Sequence, residues 1–292
     1  MRSVSIVGCG YTGLRLAVRC AGMGAGVRGF AARAESLARI AAAGIEAHRL
    51  NLDAASDPLD MSDQYIYYAV PPPAQGSGDP RLERFLDSCQ GAPARLIYLS
   101  TTGVYGDQGG ATVAEDTPPQ PKTLRAQRRL AAETALRIWA EARGISWCIL
   151  RLPGIYGPGR LPLDRLRSGS PAIVPAEATP GNRIHVTDLV TACLAAGEEP
   201  RAHRNIYNVT DGTGDSLTEY LQRVARIAHL PPPPLISRAE AQRSFSASSW
   251  SFLGESRRVD NRRMLDELNV ALHYRDLDAG IRASLDDADQ AG

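Results

Sequence analysis

The chain reads Ser3-Val4-Ser5-Ile6-Val7-Gly8-Cys9-Gly10-Tyr11-Thr12-Gly13-Leu14 near its N-terminus, and the prediction of the fold begins here. The apolar run Ser3–Val7 has the length of a buried strand, and helical spacing of apolar residues starts at Leu14. Between them lie three glycines in the pattern Gly-x-Gly-x-x-Gly. In a strand–turn–helix, the first glycine permits a tight turn, the second lets a pyrophosphate approach the backbone, and the third allows close helix–strand packing. We therefore predict a dinucleotide-binding turn formed by Gly8, Gly10, Tyr11, Thr12 and Gly13.

Short apolar runs continue to alternate with helical patterns as far as residue 152. Further runs of strand length cover residues 27–31, 45–51, 64–70, 95–100 and 146–152. Helical spacing covers residues 14–23, 37–43, 82–89 and 124–143. Near-continuous apolar strands are covered on both faces, as in a parallel sheet, and their alternation with helices implies right-handed βαβ units. The prediction is an α/β fold with a Rossmann-type, doubly wound parallel sheet.

The composition changes after residue 153, where proline and glycine become frequent. A strand-like run covers residues 206–209, and helical patterns cover 187–196, 217–228 and 262–268. Thr187 is the predicted N-cap of the first of these helices. We predict that residues 1–153 plus 184–209 form the nucleotide-binding domain. Residues 154–183 plus 210–292 would then form a small C-terminal substrate domain.

Composition and charge exclude several classes of protein. The 292 residues carry a formal net charge of +1, which argues against a dedicated nucleic-acid binder. The apolar stretches are too short or interrupted for a membrane span of roughly 20 residues. The five cysteines are odd in number and no pair has C-x-x-C spacing. We therefore expect reduced thiols in a cytoplasmic protein with no metal site.

The ends of the predicted strands supply the remaining cofactor candidates. A ribose-binding acid is expected about 20 residues beyond the glycine turn. Arg33 stands there, after Ala31 and Ala32, and an arginine can pair with a 2′-phosphate. We therefore predict NADP as the cofactor, with NAD as the less favoured choice, and Arg28 as an assisting group. Asn51 and Leu52 are expected to flank the adenine. The other predicted contacts at strand ends are Ala69, Val70, Pro71, Ser100, Pro153 and Gly154.

The stretch Leu99-Ser100-Thr101-Thr102-Gly103-Val104-Tyr105-Gly106 follows a predicted strand. It resembles the S-S-x-x-V-Y-G segment of the extended short-chain dehydrogenases/reductases, the family of UDP-galactose 4-epimerase and the nucleotide-sugar dehydratases. Four further segments are similar to that family in the same order, at residues 115–121, 150–160, 183–189 and 207–209.

This resemblance implies a Ser/Thr–Tyr–Lys site, in which Tyr exchanges a proton with the substrate and Lys binds the nicotinamide ribose. The family spacing P-x-x-x-Y-x-x-x-K-x-x-x-E falls on Pro121, Arg125, Arg129 and Glu133, so both catalytic positions carry arginine. The family's Ser falls on Thr101, which keeps a hydroxyl. Arg129 can still hydrogen-bond a ribose.

Arg125 cannot take over the role of the tyrosine, because a guanidinium does not deprotonate in proteins. A positioned acid or base contributes about 10²–10⁴-fold to a rate, so its loss would cripple an ordinary member of the family. Tyr105 and Tyr156 are the candidates for a substitute acid. The predicted catalytic residues are Thr101, Arg125, Arg129 and Tyr105.

Three hypotheses for function follow. The first is an atypical NAD(P)-dependent oxidoreductase or epimerase/dehydratase-like enzyme acting on a hydroxyl or carbonyl of a small molecule, with a nucleotide sugar as one candidate. The alternative is a catalytically degenerate NADP(H)-binding protein that acts as a redox sensor or regulator. The third is an enzyme in which Arg125 stabilises an anionic substrate.

Three further expectations concern partners and surfaces. A homodimer through the helix at 124–143 is implied by the resemblance, and neither nucleic acid nor membrane is expected as a partner. The basic pairs at 257–258 and 262–263 are expected on a solvated face, with contact to a substrate phosphate as the alternative.

Overall fold

Seven parallel strands form the central sheet of the computed structural model, which describes Met1 and residues 3–246, 250–251 and 253–289. In chain order the strands are β1 (Ser3–Val7), β2 (Gly26–Ala31), β3 (Glu46–Arg49), β4 (Leu59–Asp60), β5 (Tyr65–Tyr68), β6 (Cys89–Gln90), β7 (Arg95–Thr101), β8 (Thr112–Val113), β9 (Trp147–Leu152), β10 (Gly154–Tyr156), β11 (Ala172–Ile173), β12 (Arg183–His185), β13 (Asn205–Asn208), β14 (Leu235–Ile236) and β15 (Arg258–Val259).

The helices connect these strands as the alternating pattern predicts. They are α1 (Tyr11–Gly22), α2 (Ala34–Ala42), α3 (Pro80–Ser88), α4 (Leu124–Ala142), α5 (Leu163–Arg167), α6 (Val186–Glu198), α7 (Leu217–Ile227), α8 (Arg238–Ser244), α9 (Arg262–Glu267) and α10 (Leu277–Asp289). Short 3₁₀ turns cover Thr102–Tyr105, Pro175–Glu177 and Pro200–Ala202.

The sheet order is β13-β9-β7-β5-β1-β2-β3, and every neighbouring pair is parallel. The chain starts at β1 and winds outward in both directions, so the switch point lies between β1 and β5. In sheets of this kind, ligands bind at the carboxyl ends of the strands beside the switch point. The predicted Rossmann-type, doubly wound fold is confirmed.

Two apolar layers cover the sheet. Leu16 of α1, Ile40 of α2 and Leu189 of α6 pack in one buried cluster. Phe85 of α3 and Leu136 of α4 pack in the other. Alternate residues of each strand contribute to opposite layers, because successive side chains of a strand point to opposite faces. Both faces are therefore buried, as the continuous apolar runs predict.

The predicted N-cap of α6 was wrong. The N-cap of α6 is His185, not Thr187, and the His185 Nδ1 atom accepts a hydrogen bond from the Thr187 amide at 3.2 Å. An imidazole nitrogen therefore takes the position that a hydroxyl was expected to fill.

The C-terminal part of the chain has a smaller apolar cluster of its own, which includes Tyr156, Leu221 and Ile281. The division into two domains stays a prediction, and the packing joins the two parts at two places. Met264 of α9 lies in the buried cluster of the sheet. Strand β15 pairs in parallel with β8, which lies in the connection between β7 and α4. Among the described residues, no helix is long and apolar enough to cross a membrane.

Candidate functional site

The glycine turn after β1 has the geometry that its sequence predicts. Gly8 has a φ of +89°, and a Cβ there would lie 2.8 Å from the Val70 amide nitrogen. A Cβ on Gly13 would lie 2.7 Å from the Gly8 carbonyl oxygen. A Cβ on Gly10, in contrast, would meet nothing within 4 Å. Two of the glycines are therefore needed for packing, while the third faces open space.

The start of α1 fits a phosphate group. Gly10 is the N-cap, and no side chain within the described ranges caps this end by a hydrogen bond. The first amide groups of a helix lack intrahelical partners and carry partial positive charge, so they favour anions. Because Gly10 also leaves the approach open, the turn suits the pyrophosphate of a dinucleotide. When bound, a nicotinamide dinucleotide would supply hydride chemistry.

Tyr11 lies between two arginines. The guanidinium carbons of Arg15 and Arg160 are 4.0 Å and 3.9 Å from the centre of its ring. Its hydroxyl donates to the Pro158 carbonyl at 3.0 Å. Thr12 is buried at the next position. The Tyr11 side chain thus ties the loop after β10 to the glycine turn, and its hydroxyl already has a protein partner.

The adenine end of the predicted site lies at the carboxyl ends of β2 and β3. Arg33 is the exposed N-cap residue of α2. Arg28 does not assist it, because the Arg28 guanidinium donates to the Asp60 carbonyl at 2.9 Å. Asn51 is exposed, whereas Leu52 is buried in the apolar layer of α3 and α4 and its carbonyl accepts a hydrogen bond from Arg84 at 2.8 Å, so Asn51 is the more accessible of the two predicted adenine contacts.

An ion pair connects two of the predicted cofactor loops. Arg81 of α3 donates to the Asp53 carboxylate at 2.6 Å and 2.9 Å and to the Pro71 carbonyl at 3.0 Å. The loop after β3 is thereby joined to the loop after β5. The remaining predicted contacts, Ala69, Val70, Pro153 and Gly154, follow β5 and β9 at the same edge of the sheet.

The predicted contact through Ser100 needs correction. Its hydroxyl is buried and donates to the Glu133 carboxylate at 2.5 Å. The Glu133 carboxylate also accepts hydrogen bonds from Nε and Nη2 of Arg151, at 3.2 Å and 2.8 Å. Both side chains are 3% exposed. The Ser100 hydroxyl therefore belongs to a buried ionic network beneath the edge of the sheet.

The expectation that Tyr105 supplies a proton is also corrected. Tyr105 is fully buried, and its hydroxyl donates to the Asn208 side-chain oxygen at 2.8 Å. Tyr156 is 3% exposed in the C-terminal cluster, and burial raises its pKa. Neither phenol reaches solvent, because each lies inside a packed layer. These two tyrosines are structural.

Thr101 is the hydroxyl that the structure leaves near the surface. It is partly buried at the end of β7, and its Oγ1 accepts a hydrogen bond from the Gly103 amide at 3.1 Å. A hydroxyl that accepts one hydrogen bond can still donate another. Thr101 can therefore orient a substrate oxygen. A Cβ on Gly103 would lie within 3.8 Å of both Thr101 and Ala126, which places Thr101 beside the first turn of α4.

Arg129 is held against the sheet by a residue that the sequence reasoning missed. Its Nη1 donates to the Tyr98 hydroxyl at 3.0 Å and to the Leu99 carbonyl at 3.3 Å. Burial raises the pKa of Tyr98 to about 12, although Arg129 acts in the opposite direction. Tyr98 therefore stays protonated and positions the guanidinium at the edge of β7.

Arg125 is surrounded by charges from two parts of the chain. Its side chain reaches solvent, yet enough protein surrounds the guanidinium that desolvation lowers its pKa. The nearby guanidiniums of Arg257 and Arg128 lower it further, while the Glu255 carboxylate raises it. The sequence reasoning missed Glu255 and Arg128, and it expected Arg257 on a solvated face, with contact to a substrate phosphate as the alternative. Arg128 lies one helical turn after Arg125 on α4, whereas the positions of Glu255 and Arg257 depend on how the C-terminal segment packs.

The comparisons agree with this geometry. The family model described as NAD dependent epimerase/dehydratase family matches residues 4–210. Protein YeeZ of Escherichia coli (strain K12) is 28% identical over 288 residues, which cover 94% of this chain and 97% of YeeZ. A functionally unknown conserved protein from Silicibacter pomeroyi has a solved structure that matches at a TM-score of 0.82, with 29% identity and 99% of each chain covered.

A further solved structure shows the same fold at lower identity. It is the UDP-glucuronic acid 4-epimerase from Bacillus cereus in complex with NAD, with a TM-score of 0.78, 16% identity and 99% of each chain covered. The parallel sheet, the glycine turn at its switch point and the family match over residues 4–210 lead to one conclusion. The chain belongs to the NAD dependent epimerase/dehydratase family.

Proposed function

We propose that the protein is an NADP-dependent enzyme that oxidises or reduces a hydroxyl or carbonyl carbon of a nucleotide sugar. The observation that carries the proposal is the open space at Gly10, beside an uncapped helix N-terminus, in a turn whose other two glycines are needed for packing. Relatives in fold act on UDP-sugars, as the epimerase from Bacillus cereus does. Nothing in the comparisons supports the alternative of a redox sensor.

Residues of this chain would have the following roles in binding the dinucleotide and the substrate. The glycine turn binds the pyrophosphate through backbone amides, and Arg33 binds the 2′-phosphate of the adenine ribose. Arg129, held by Tyr98, donates to the nicotinamide ribose. Thr101 donates a hydrogen bond to the reacting oxygen of the substrate. Hydride transfer is the chemistry that the bound dinucleotide supplies.

The first test is calorimetric titration with NADPH and, separately, with NADH. We expect NADPH to bind more tightly. Arg33→Ala should weaken NADPH binding by about 10–100-fold, because a charge-assisted hydrogen bond contributes about 1.5–3 kcal/mol. The same variant should leave NADH binding unchanged. If neither dinucleotide binds, the proposal fails, and equal effects of Arg33→Ala on both would refute the preference for NADP.

The second test concerns turnover. The dinucleotide-loaded protein is incubated with UDP-glucose or UDP-glucuronic acid, and the sugar nucleotides are separated by chromatography. A new sugar nucleotide that is absent with Gly10→Ala would support an enzyme. Dinucleotide binding without any conversion of either compound would contradict the proposed substrate class.

We also propose that a second copy of the chain covers α4. A shallow apolar groove runs along its outer face, lined by Leu130, Ala131, Ala135 and Ile138, and Ile138 is 65% exposed. Exposed apolar patches of this kind are typical of protein interfaces. Light scattering should give the mass of a dimer, and Ile138→Glu should give a monomer. A monomeric wild-type protein would refute this proposal. We further propose that the protein resides in the cytoplasm and binds no nucleic acid.

A further inference from the structure

The connection that follows β10 reaches back to the glycine turn. The Tyr11 hydroxyl donates to the Pro158 carbonyl at 3.0 Å. Gly157 has a φ of +149°, and a Cβ there would lie 2.7 Å from the Tyr11 hydroxyl oxygen. The Arg160 amide donates to the Gly157 carbonyl at 2.9 Å and so closes a tight turn. The backbone of this connection, which belongs to the predicted substrate domain, therefore places Arg160 beside the first residue of α1.

The Tyr11 ring carries a guanidinium on each face. The Arg160 Cζ atom is 3.9 Å from the ring centre, and the Arg15 Cζ atom is 4.0 Å from it. These are contact distances, so two guanidinium groups over one ring centre cannot share a face. Arg15 also donates from Nη1 to the Tyr11 carbonyl at 3.0 Å. Because one face lies against Arg15 and the hydroxyl is bound to the connection after β10, the ring is a fixed platform for Arg160.

The N–H groups of Arg160 have no protein partner in the part of the chain that the structure describes. The side chain is exposed, and it forms neither a hydrogen bond nor an ion pair with any described residue. Arg15 forms no ion pair with a described carboxylate either. Burial raises the pKa of the Tyr11 hydroxyl, and the charged groups that act on it, Arg15 and Arg160, are both positive. The donors of Arg160 are therefore available to an anion.

A stacked guanidinium keeps its edge free for a phosphate. Stacking uses the face of the group, whereas its N–H donors lie in its plane and match the oxygens of a phosphate in pairs. The ring under Arg160 is joined by a single methylene to the backbone of Tyr11, whose amide belongs to the uncapped start of α1. A phosphate at those amides is therefore within reach of Arg160, and Gly10 leaves the approach open.

We propose that Arg160 binds a phosphate of the molecule that occupies the glycine turn, so that the connection after β10 adds a charged side chain to the amides of that turn. The inference rests on the proposed function, since it adds a residue to the proposed dinucleotide site. Two molecules carry this phosphate chemistry, the dinucleotide and a nucleotide-sugar substrate. The dinucleotide pyrophosphate is the expected ligand, because Arg160 stacks on Tyr11, a residue of the turn itself.

The test is calorimetric titration of the protein with NADPH and, separately, of the NADP-saturated protein with UDP-glucose. The variant is Arg160→Gln, and the control is Arg167→Gln, an exposed arginine of α5 that pairs with Asp164. Because the Arg160 side chain forms no hydrogen bond with a described residue, the thermal midpoint of the variant should stay near that of wild type. Each titration is repeated at high salt, which screens an exposed contact between charges and leaves a merely structural effect in place.

We expect Arg160→Gln to weaken NADPH binding by about tenfold or more at low salt, and the difference from wild type to narrow at high salt. Weaker binding of UDP-glucose with unchanged NADPH affinity would assign the phosphate to the substrate. If neither compound binds more weakly, or if salt does not alter the loss, the inference is overturned while NADPH binding by wild type stands. A wild-type protein that binds no dinucleotide would refute the proposed function and this inference with it.

Discussion

Gly10 and Gly13 belong to the same motif, yet the structure predicts different effects when each is changed to alanine: lost packing for Gly13 and weakened cofactor binding for Gly10. The methyl group of Gly13→Ala would lie 2.7 Å from the Gly8 carbonyl oxygen and 2.9 Å from the Ile6 Cγ2 atom. Neither atom is the end of a flexible side chain, so helix α1 must move. Overpacking of this kind costs about 1–3 kcal/mol. At roughly 2–4 °C per kcal/mol, the thermal midpoint should fall by about 2–12 °C.

Gly10→Ala should behave differently. Its methyl group would meet no atom within 4 Å, although the backbone at φ −94° and ψ −141° lies outside the regions that alanine prefers. The less flexible unfolded chain of an alanine variant favours folding by about 0.4–1 kcal/mol, and this gain offsets at least part of the backbone cost. The methyl group would, however, stand where the pyrophosphate approaches. Loss of one charge-assisted hydrogen bond, at about 1.5–3 kcal/mol, corresponds to about 10–100-fold weaker NADPH binding.

The assay is a thermal melt together with NADPH calorimetry on both variants. The expected outcome is a lower midpoint for Gly13→Ala, and a smaller change of midpoint with weakened NADPH binding for Gly10→Ala. Gly22, exposed near the end of α1 with no atom within 4 Å of its Cβ position, gives a control variant, Gly22→Ala. Wild-type affinity in Gly10→Ala would refute the reasoning about the cofactor site. Wild-type stability in Gly13→Ala would refute the reasoning about packing.

Two further predictions concern buried polar groups. Glu133→Gln removes the counter-charge of Arg151, which is 3% exposed, and should lower the free energy of unfolding by about 3–5 kcal/mol in a denaturant titration. Arg167→Gln, from an exposed pair, should leave the midpoint near that of wild type, and equal shifts in the two variants would contradict the prediction. Burial lowers the pKa of His185 from 6.5 to about 4, so the unfolded chain takes up a proton first as the pH falls, and stability is full above about pH 6.5 and declines towards pH 4. The stability advantage of wild type over His185→Asn should therefore shrink by about 3 kcal/mol between pH 7 and pH 4, and a constant difference across that range would count against a neutral buried imidazole.

The fold was predictable because its evidence is local in the sequence. Each apolar run such as Ser3–Val7 is a strand, and each helical pattern such as residues 124–143 is a helix within a few residues. The glycine spacing predicted which glycine packs against the sheet and which faces open space. The absence of a Tyr-x-x-x-Lys pair was likewise readable from residue identities, since Lys122 is the only lysine and Pro118 stands four residues before it. That Arg125 and Arg129 stand at the family's catalytic positions stays a prediction.

The predictions that were wrong concern which way a side chain points and which residue it contacts. Ser100 and Thr101 are neighbours in the sequence, but one hydroxyl is buried on Glu133 while the other lies at the surface. Tyr105 looked like an available acid, yet it is fully buried against Asn208, which is distant in the sequence. The periodicity of the sequence does not show which way a residue at the end of a strand points when its hydrogen-bond partner comes from a distant element.

The sequence by itself determined the parallel α/β architecture, the position of the glycine turn and the absence of a tyrosine–lysine pair, because each depends on residues close together in the chain. Only the tertiary structure decided that Tyr98 holds Arg129 and that Glu255 and Arg257 meet Arg125. The physical reason is that the charges around a site depend on contacts between remote segments. Here a strand pairing of β15 with β8 brings residues more than a hundred positions apart to one place.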